Sequence, residues 1–161
     1  MRLSVRQERN SGAKSLRFIL DSNEYIFAFG VFRKPLSEAL LNAILDAFPR
    51  HTVRLPRLIV EEVGRHLTPQ EFREFIAFIT SFTTIDEDIC VPFELGARYE
   101  LQGLKPADAF IAAYIEWVGG DILVTENRHF LRRHSTLPLK VMNAENCLKI
   151  IGCSPLPPPK H

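Results

Sequence analysis

Apolar residues recur along the chain in two rhythms. Short runs such as Leu16-Arg17-Phe18-Ile19-Leu20, Thr52-Val53-Arg54-Leu55, Thr83-Thr84-Ile85, Asp121-Ile122-Leu123-Val124-Thr125 and Leu139-Lys140-Val141-Met142 have the length and β-branched character of buried strands. Between them lie longer stretches with helical spacing. These predict helices through Tyr25 to Phe29, from Pro35, over Pro56 to Leu67, from Thr68-Pro69, over Pro92 to Leu101, over Pro106 to Val118 and over Ala144 to Ile151. Proline in the first turn starts several of them. In Thr68-Pro69-Gln70-Glu71, Thr68 is placed to cap and Glu71 to complete a capping box. Strands separated by helices imply mostly parallel pairing, hence an α/β fold: a three-layer α/β/α sandwich with a mostly parallel central sheet.

The pattern covers residues 15–151 as one domain, with neither a low-complexity linker nor a repeat. Residues 1–14, which hold Arg2, Arg6, Arg9 and Lys14, lack periodicity and read as a flexible basic arm. Residues 152–161 contain Pro155, Pro157, Pro158 and Pro159 and read as a Pro-rich tail. At 161 residues, with 46% hydrophobic and 24% charged side chains, the chain has a globular composition. No stretch is apolar enough for a membrane partner. Cys90, Cys147 and Cys153 form neither a disulfide framework nor a metal pair, so a reducing cytoplasm is the expected compartment. The formal net charge of +1 excludes nucleic-acid binding by bulk charge, though not by a local patch.

In a parallel sheet the ligand crevice lies at the carboxyl ends of the strands. The first strand delivers Asp21, Ser22 and Asn23 there; the Ile122–Val124 run delivers Thr125, Glu126 and Asn127. Asp21-x-x-Glu24 also has capping-box spacing, and an Asp at a strand-to-helix turn is ordinarily a cap. The helices add weight to the catalytic reading. At 100° per residue Asp108 falls about 20° from Ile115, on the apolar stripe of its helix. A first-turn Asp can complement the helix dipole, but that does not explain its apolar facing. Glu62 falls between Leu58 and Ile59 on the buried side of its helix, whereas Glu61 points outward, four residues before Arg65, the spacing of a surface ion pair. Carboxylates converging without His or Cys suit a hard divalent ion, Mg²⁺ or Mn²⁺. Such a site performs displacement at phosphorus.

Four segments in this order, Phe18-Ile19-Leu20-Asp21-Ser22-Asn23, Pro56-x5-Glu62-Val63, Pro106-Ala107-Asp108-Ala109-Phe110-Ile111-Ala112-Ala113 and Asp121-Ile122-Leu123-Val124-Thr125-Glu126-Asn127-Arg128-His129-Phe130, resemble the PIN domain family. The resemblance extends from residue 16 to about 151. It implies a metal-dependent ribonuclease, similar to the VapC-like toxins of toxin–antitoxin systems, with RNA as substrate, a cognate antitoxin protein as partner and a homodimer. It makes Asp21, Glu62 and Asp108 the metal-site acids, Asn23 a polar support beside the first, and Thr125 an orienting group. Asn127 stands where the family often has Asp. An amide oxygen can still ligate or hold a metal-bound water, but one negative charge is gone. Glu126 either compensates or faces solvent. Asp121 lies about 13 Å away along the strand, at the other edge.

Arg128, His129, Arg132, Arg133 and His134 follow the site strand and read as phosphate contacts or as a solvated helix face. Tyr25, Phe27, Phe29, Phe72, Phe75 and Phe78 have core spacing, and His51 and His66 receive no role. A haloacid-dehalogenase-like phosphatase would place an Asp where Asn23 stands. A receiver domain would need an acidic pair that is missing. The rival that Asn127 raises is a PIN-like scaffold, weakly active or inactive, that binds RNA or protein.

Overall fold

The structure, a computed structural model, describes residues 14–133 and 137–152. The rest of the expected basic arm and Pro-rich tail, together with His134, lie outside the described residues. Five strands form one parallel sheet: β1 (Arg17–Leu20), β2 (Thr52–Pro56), β3 (Thr83–Asp86), β4 (Ile122–Val124) and β5 (Lys140–Met142), in the order β3-β2-β1-β4-β5. Every pairing is parallel, so the sheet is more uniform than the mostly parallel one expected.

Helices α1 (Ser22–Phe29), α2 (Pro35–Ala47), α3 (Arg57–His66), α4 (Pro69–Thr80), α5 (Phe93–Leu101), α6 (Pro106–Val118), α7 (Arg128–Arg132) and α8 (Ala144–Ile151) flank it as a three-layer α/β/α sandwich. α1 packs on α2, α3 and α4, α2 packs on α8, and α5 and α6 pack on each other. Parallel crossovers are right-handed. The strand order reverses direction after β3, so the α5–α6 connection falls on the face opposite α1 to α4. This makes β1/β4 the switch point, where a crevice opens between diverging connections.

The two central strands are apolar on both faces, as burial requires: Phe18, Ile19, Leu20, Ile122, Leu123 and Val124 are all buried. α4 has the predicted capping box, with Thr68 Oγ1 accepting from Glu71 N and Glu71 Oε2 from Thr68 N. α6 ends at Gly119, whose φ of 65° lies in the left-handed region that favours glycine. At Gly120 a Cβ would stand 2.3 Å from Ile19 Cδ1 and 2.9 Å from Ile115 Cγ2. Here α6 and β1 approach too closely for any side chain. The phenylalanines pack as expected: Phe75 is buried in edge-on contact with Tyr25 and Phe29, and Phe78 with Phe29 and Phe82. Phe27 instead lies under the Lys34 ammonium. His51 is buried, with Nδ1 accepting from Leu16 N. No helix among the described residues is long and apolar enough to cross a membrane.

Candidate active site

The β1/β4 register pairs Leu20 with Val124, so the next residue on each strand, Asp21 and Thr125, emerges side by side at the carboxyl edge. The backbone completes the placement: Asp21 N donates to Val124 O, and Thr125 N to Met142 O. Thr125 is fully buried, and its hydroxyl donates to Asp21 Oδ2 at 2.7 Å. Asn127 N donates into the same hydroxyl oxygen at 2.9 Å. A hydroxyl has one proton; with Asn127 N–H occupying an acceptor direction, that proton is directed at Asp21.

Asp21 does cap α1, Oδ1 accepting from Ser22 N. The capping box with Glu24, however, is not formed. The Asp21 amide is committed to the sheet, and Glu24 turns inward, fully buried, to accept from Ser37 Oγ at 2.9 Å. Its other oxygen, Oε1, has no donor among the described residues. The Glu24 side chain meets that of Glu126, and burial, opposed by the Ser37 hydrogen bond and reinforced by the charges of Glu126 and Asp21, pushes its carboxyl up to about 7. Glu24 is the acid that sequence reasoning missed. A signal was present: Glu24 lies one helical turn before buried Ala28, the same test that singled out Asp108. Glu126 is half-buried, and its Oε1 accepts from Ala144 N at the start of α8.

Asp108 is half-buried in the first turn of α6. Burial and then the charge of Asp21 raise its carboxyl above the ordinary range, while His129, Lys105 and Arg133 pull it back. Asp21 and Asp108 thus share one electrostatic environment although 87 residues separate them in sequence. Glu62 is half-buried on α3 and Glu61 is exposed, as their projections predict. The Glu62 side chain makes no hydrogen bond or ion pair among the described residues, and only its backbone carbonyl pairs with His66 Nδ1. The expected Glu61–Arg65 ion pair is absent among the described residues. A surface pair gains too little to fix two long side chains. Asn23 is half-buried in α1.

The side-chain oxygen of Asn127 caps α7, accepting from His129 N at 2.9 Å. That short helix, not among the predicted helices although a solvated helix face is one reading of its basic residues, carries Arg128, His129 and Arg132. A cavity of about 80 Å³ lies beside it, with Asp108, Lys105, His129 and Arg133 around buried Leu104 and Phe130. Arg128 and Arg132 are exposed on α7 but do not line this cavity. Asp121 lies at the opposite edge as expected, accepting from Arg17 N and pairing with Lys14.

Among the described residues no three His, Cys, Asp or Glu side chains are close enough together to hold a metal ion. The carboxyl-edge donors are oxygens of Asp21, Asp108 and Thr125. This set suits Mg²⁺ or Mn²⁺ rather than a thiophilic ion. Mg²⁺ keeps several waters and takes one or two carboxylates plus substrate phosphate, so an Asp21–Asp108 pair meets its requirement without a third protein ligand.

No family model and no curated protein matches the chain. Among solved structures it is similar to a chain in the crystal structure of VapBC2 from Rickettsia felis bound to a DNA fragment from their promoter. The likeness has a TM-score of 0.56 at 19% identity and covers 80% of this chain and 98% of that one. At that identity it shows the fold.

Proposed function

We propose that this protein is a Mg²⁺- or Mn²⁺-dependent endoribonuclease that hydrolyses RNA phosphodiesters, acting as the toxin of a type II toxin–antitoxin pair. The reading rests on one observation: Asp21, oriented by buried Thr125, sits within electrostatic reach of Asp108 at the switch point of a parallel sheet. Asp21 and Asp108 would hold the ion; Glu62, the third acid that the sequence resemblance implies, does not join them in a three-acid group among the described residues. Bound there, the ion activates water at neutral pH and stabilises the leaving oxygen.

The chain's own residues prepare that chemistry. Thr125 directs its proton to Asp21 Oδ2 and fixes the carboxylate plane, while Asn127 N–H fixes Thr125. Asp108 is disfavoured as an anion by burial and by Asp21; a cation shared with Asp21 would relieve both. The likeness to a chain of VapBC2 supports a toxin–antitoxin setting; an antitoxin protein and a second copy of this chain as cytoplasmic partners follow from the sequence resemblance.

The test is cleavage of single-stranded RNA with and without Mn²⁺ by wild type, Asp21→Asn, Asp108→Asn and Glu62→Gln. Mn²⁺-dependent cleavage lost in the two Asp variants is expected, and the Glu62 variant reports whether α3 contributes. Cleavage surviving both Asp substitutions would overturn the assignment. Mn²⁺-independent RNA binding with no cleavage would favour the scaffold reading raised by Asn127.

A further inference from the structure

The α5–α6 turn and α7 come together beside Asp108 although 25 residues separate Asp108 from Arg133 in sequence. Gly103, at a φ of 92°, takes the left-handed conformation that turns the chain between the two helices. The turn presents the carbonyls of Gln102 and Gly103 to Arg133, whose terminal nitrogens donate to them at 3.3 Å each. On the other side, Asn127 caps α7 and so sets His129. Lys105 precedes α6 as its N-cap, one turn before Asp108.

The cavity enclosed by these groups measures about 80 Å³. That is room for two or three waters at roughly 30 Å³ each, well below the roughly 300–1,000 Å³ of pockets that enclose a drug-sized ligand. It accommodates a tetrahedral oxyanion, with the rest of a longer ligand outside its open mouth. Its lining agrees: Lys105, His129 and Arg133 stand around it beside the carboxylate of Asp108. All three basic groups act on Asp108, which places them at its side of the crevice.

We propose that Lys105, His129 and Arg133 form a subsite for a non-scissile phosphodiester of a single-stranded nucleic acid, one that sets the strand against Asp108. The inference rests on the nuclease reading for which phosphate is cut, but not for binding. Lys105 and His129 contact the phosphate, whereas Arg133, tied to the α5–α6 turn, closes the site. Asp108 opposes an anion here whenever no cation accompanies it. The subsite therefore binds weakly by itself and gains from whatever neutralises Asp108.

The experiment titrates the full chain into a fluorescein-labelled single-stranded RNA 12-mer, and into DNA of the same sequence, in chelator over a series of salt concentrations. Wild type, Lys105→Ala, Lys105→Arg, His129→Ala and Asp108→Asn are compared by anisotropy, with Lys149→Ala, on α8 and outside the cavity lining, as a control. Each phosphate contact contributes about 0.7 to the slope of log affinity against log salt for a single strand. Lys105→Ala is expected to weaken binding about three- to tenfold and to flatten the slope by about that amount. Lys105→Arg should restore it, and Asp108→Asn should tighten it. RNA and DNA should lose equally, because phosphate is common to both. Wild type that does not bind, Lys105→Ala and His129→Ala that bind with unchanged slope, or a loss confined to RNA would overturn the subsite. Mn²⁺-dependent cleavage alongside unchanged Lys105→Ala binding would overturn it while leaving the nuclease intact. Binding lost in Lys105→Ala without any cleavage would sustain the subsite and remove the nuclease.

Discussion

Glu24→Gln is expected to make the protein more stable at pH 8 and to leave it unchanged near pH 4.5. Glu24 is fully buried, accepts from Ser37, and meets Glu126 with no donor at Oε1 among the described residues. Burial first, and the neighbouring carboxylates next, raise its carboxyl from 4.5 to about 7. Because the folded value lies above the unfolded one, the native state holds the proton more tightly. That stabilisation is complete below about pH 4.5 and is lost as pH rises through 7. At about 1.36 kcal/mol per pH unit, the difference between low and high pH is on the order of 3 kcal/mol. Glutamine reproduces the protonated acid: its oxygen can accept from Ser37, and its amide can donate to Glu126 without ever ionising. For a chain of this size about 1 kcal/mol moves Tm by about 2–4 °C. The Tm of Glu24→Gln minus that of wild type, followed by circular dichroism from pH 4.5 to 8.5, should therefore climb from near zero to about 5–10 °C. Taking the difference cancels the titration of groups common to both proteins. A flat difference, or a variant less stable than wild type at pH 8, would refute the argument that Glu24 is held as the acid.

Three further substitutions probe the frame of the site. Thr125→Val keeps the shape but removes the hydroxyl that donates to Asp21 Oδ2 and leaves Asn127 N–H without that acceptor; a loss of about 1–3 kcal/mol in stability by urea unfolding and a larger fall in Mn²⁺-dependent turnover than in RNA affinity are expected. Asp86→Asn should cost about 2–3 kcal/mol, read as a lower Tm, since it strips the counter-charge from Arg54 in a largely enclosed pair that also receives the Tyr114 hydroxyl. Burial alone would raise Asp86, but Arg54 and Tyr114 hold it below its ordinary value, so this pair should weaken only in strong acid. Gly120→Ala drives a methyl into Ile19 and Ile115 and should destabilise by about 1–3 kcal/mol, seen as a lower urea midpoint.

Local signals made most of the fold legible. Pro106 at the first turn and Gly119 just past the end bracket α6, and Thr68-Pro69-Gln70-Glu71 marks the start of α4. Asp21 and Thr125 could be read because a strand's last residue and its successor lie at the carboxyl edge whatever the strand order. What escaped was fixed by contacts between distant segments. α7 is five residues long, too short to show a helical period, and is defined by one Asn127 cap. The burial of Glu24 depends on Ser37 in α2 and Glu126 after β4, neither of which its own neighbourhood reveals. Arg54 meets Asp86 because β2 and β3 pair in one register. Lys105 joins His129 only because the fold brings the α5–α6 turn, midway along one crossover, beside the start of the next.

The same distant contacts explain how four acids share one end of the sheet before any cation arrives. Each is compensated differently. Asp21 accepts from Ser22 N, the Ser22 hydroxyl and the Thr125 hydroxyl. Glu126 has the Ala144 amide at a helix start, a position that favours negative charge. Asp108 has three basic neighbours. Glu24 has only Ser37 and a facing carboxylate, and so retains its proton furthest into the neutral range. A divalent ion at Asp21 and Asp108 would act on this arrangement at two half-buried members, lowering Asp108 most because no hydrogen bond among the described residues holds its charge. It would also lower Glu24 through the shared field of Asp21. Binding of Mn²⁺ should then release protons as pH falls toward 6, a calorimetric signal that varies with the ionisation enthalpy of the buffer and shrinks in Glu24→Gln. Equal proton release in both proteins would place the whole effect on Asp108.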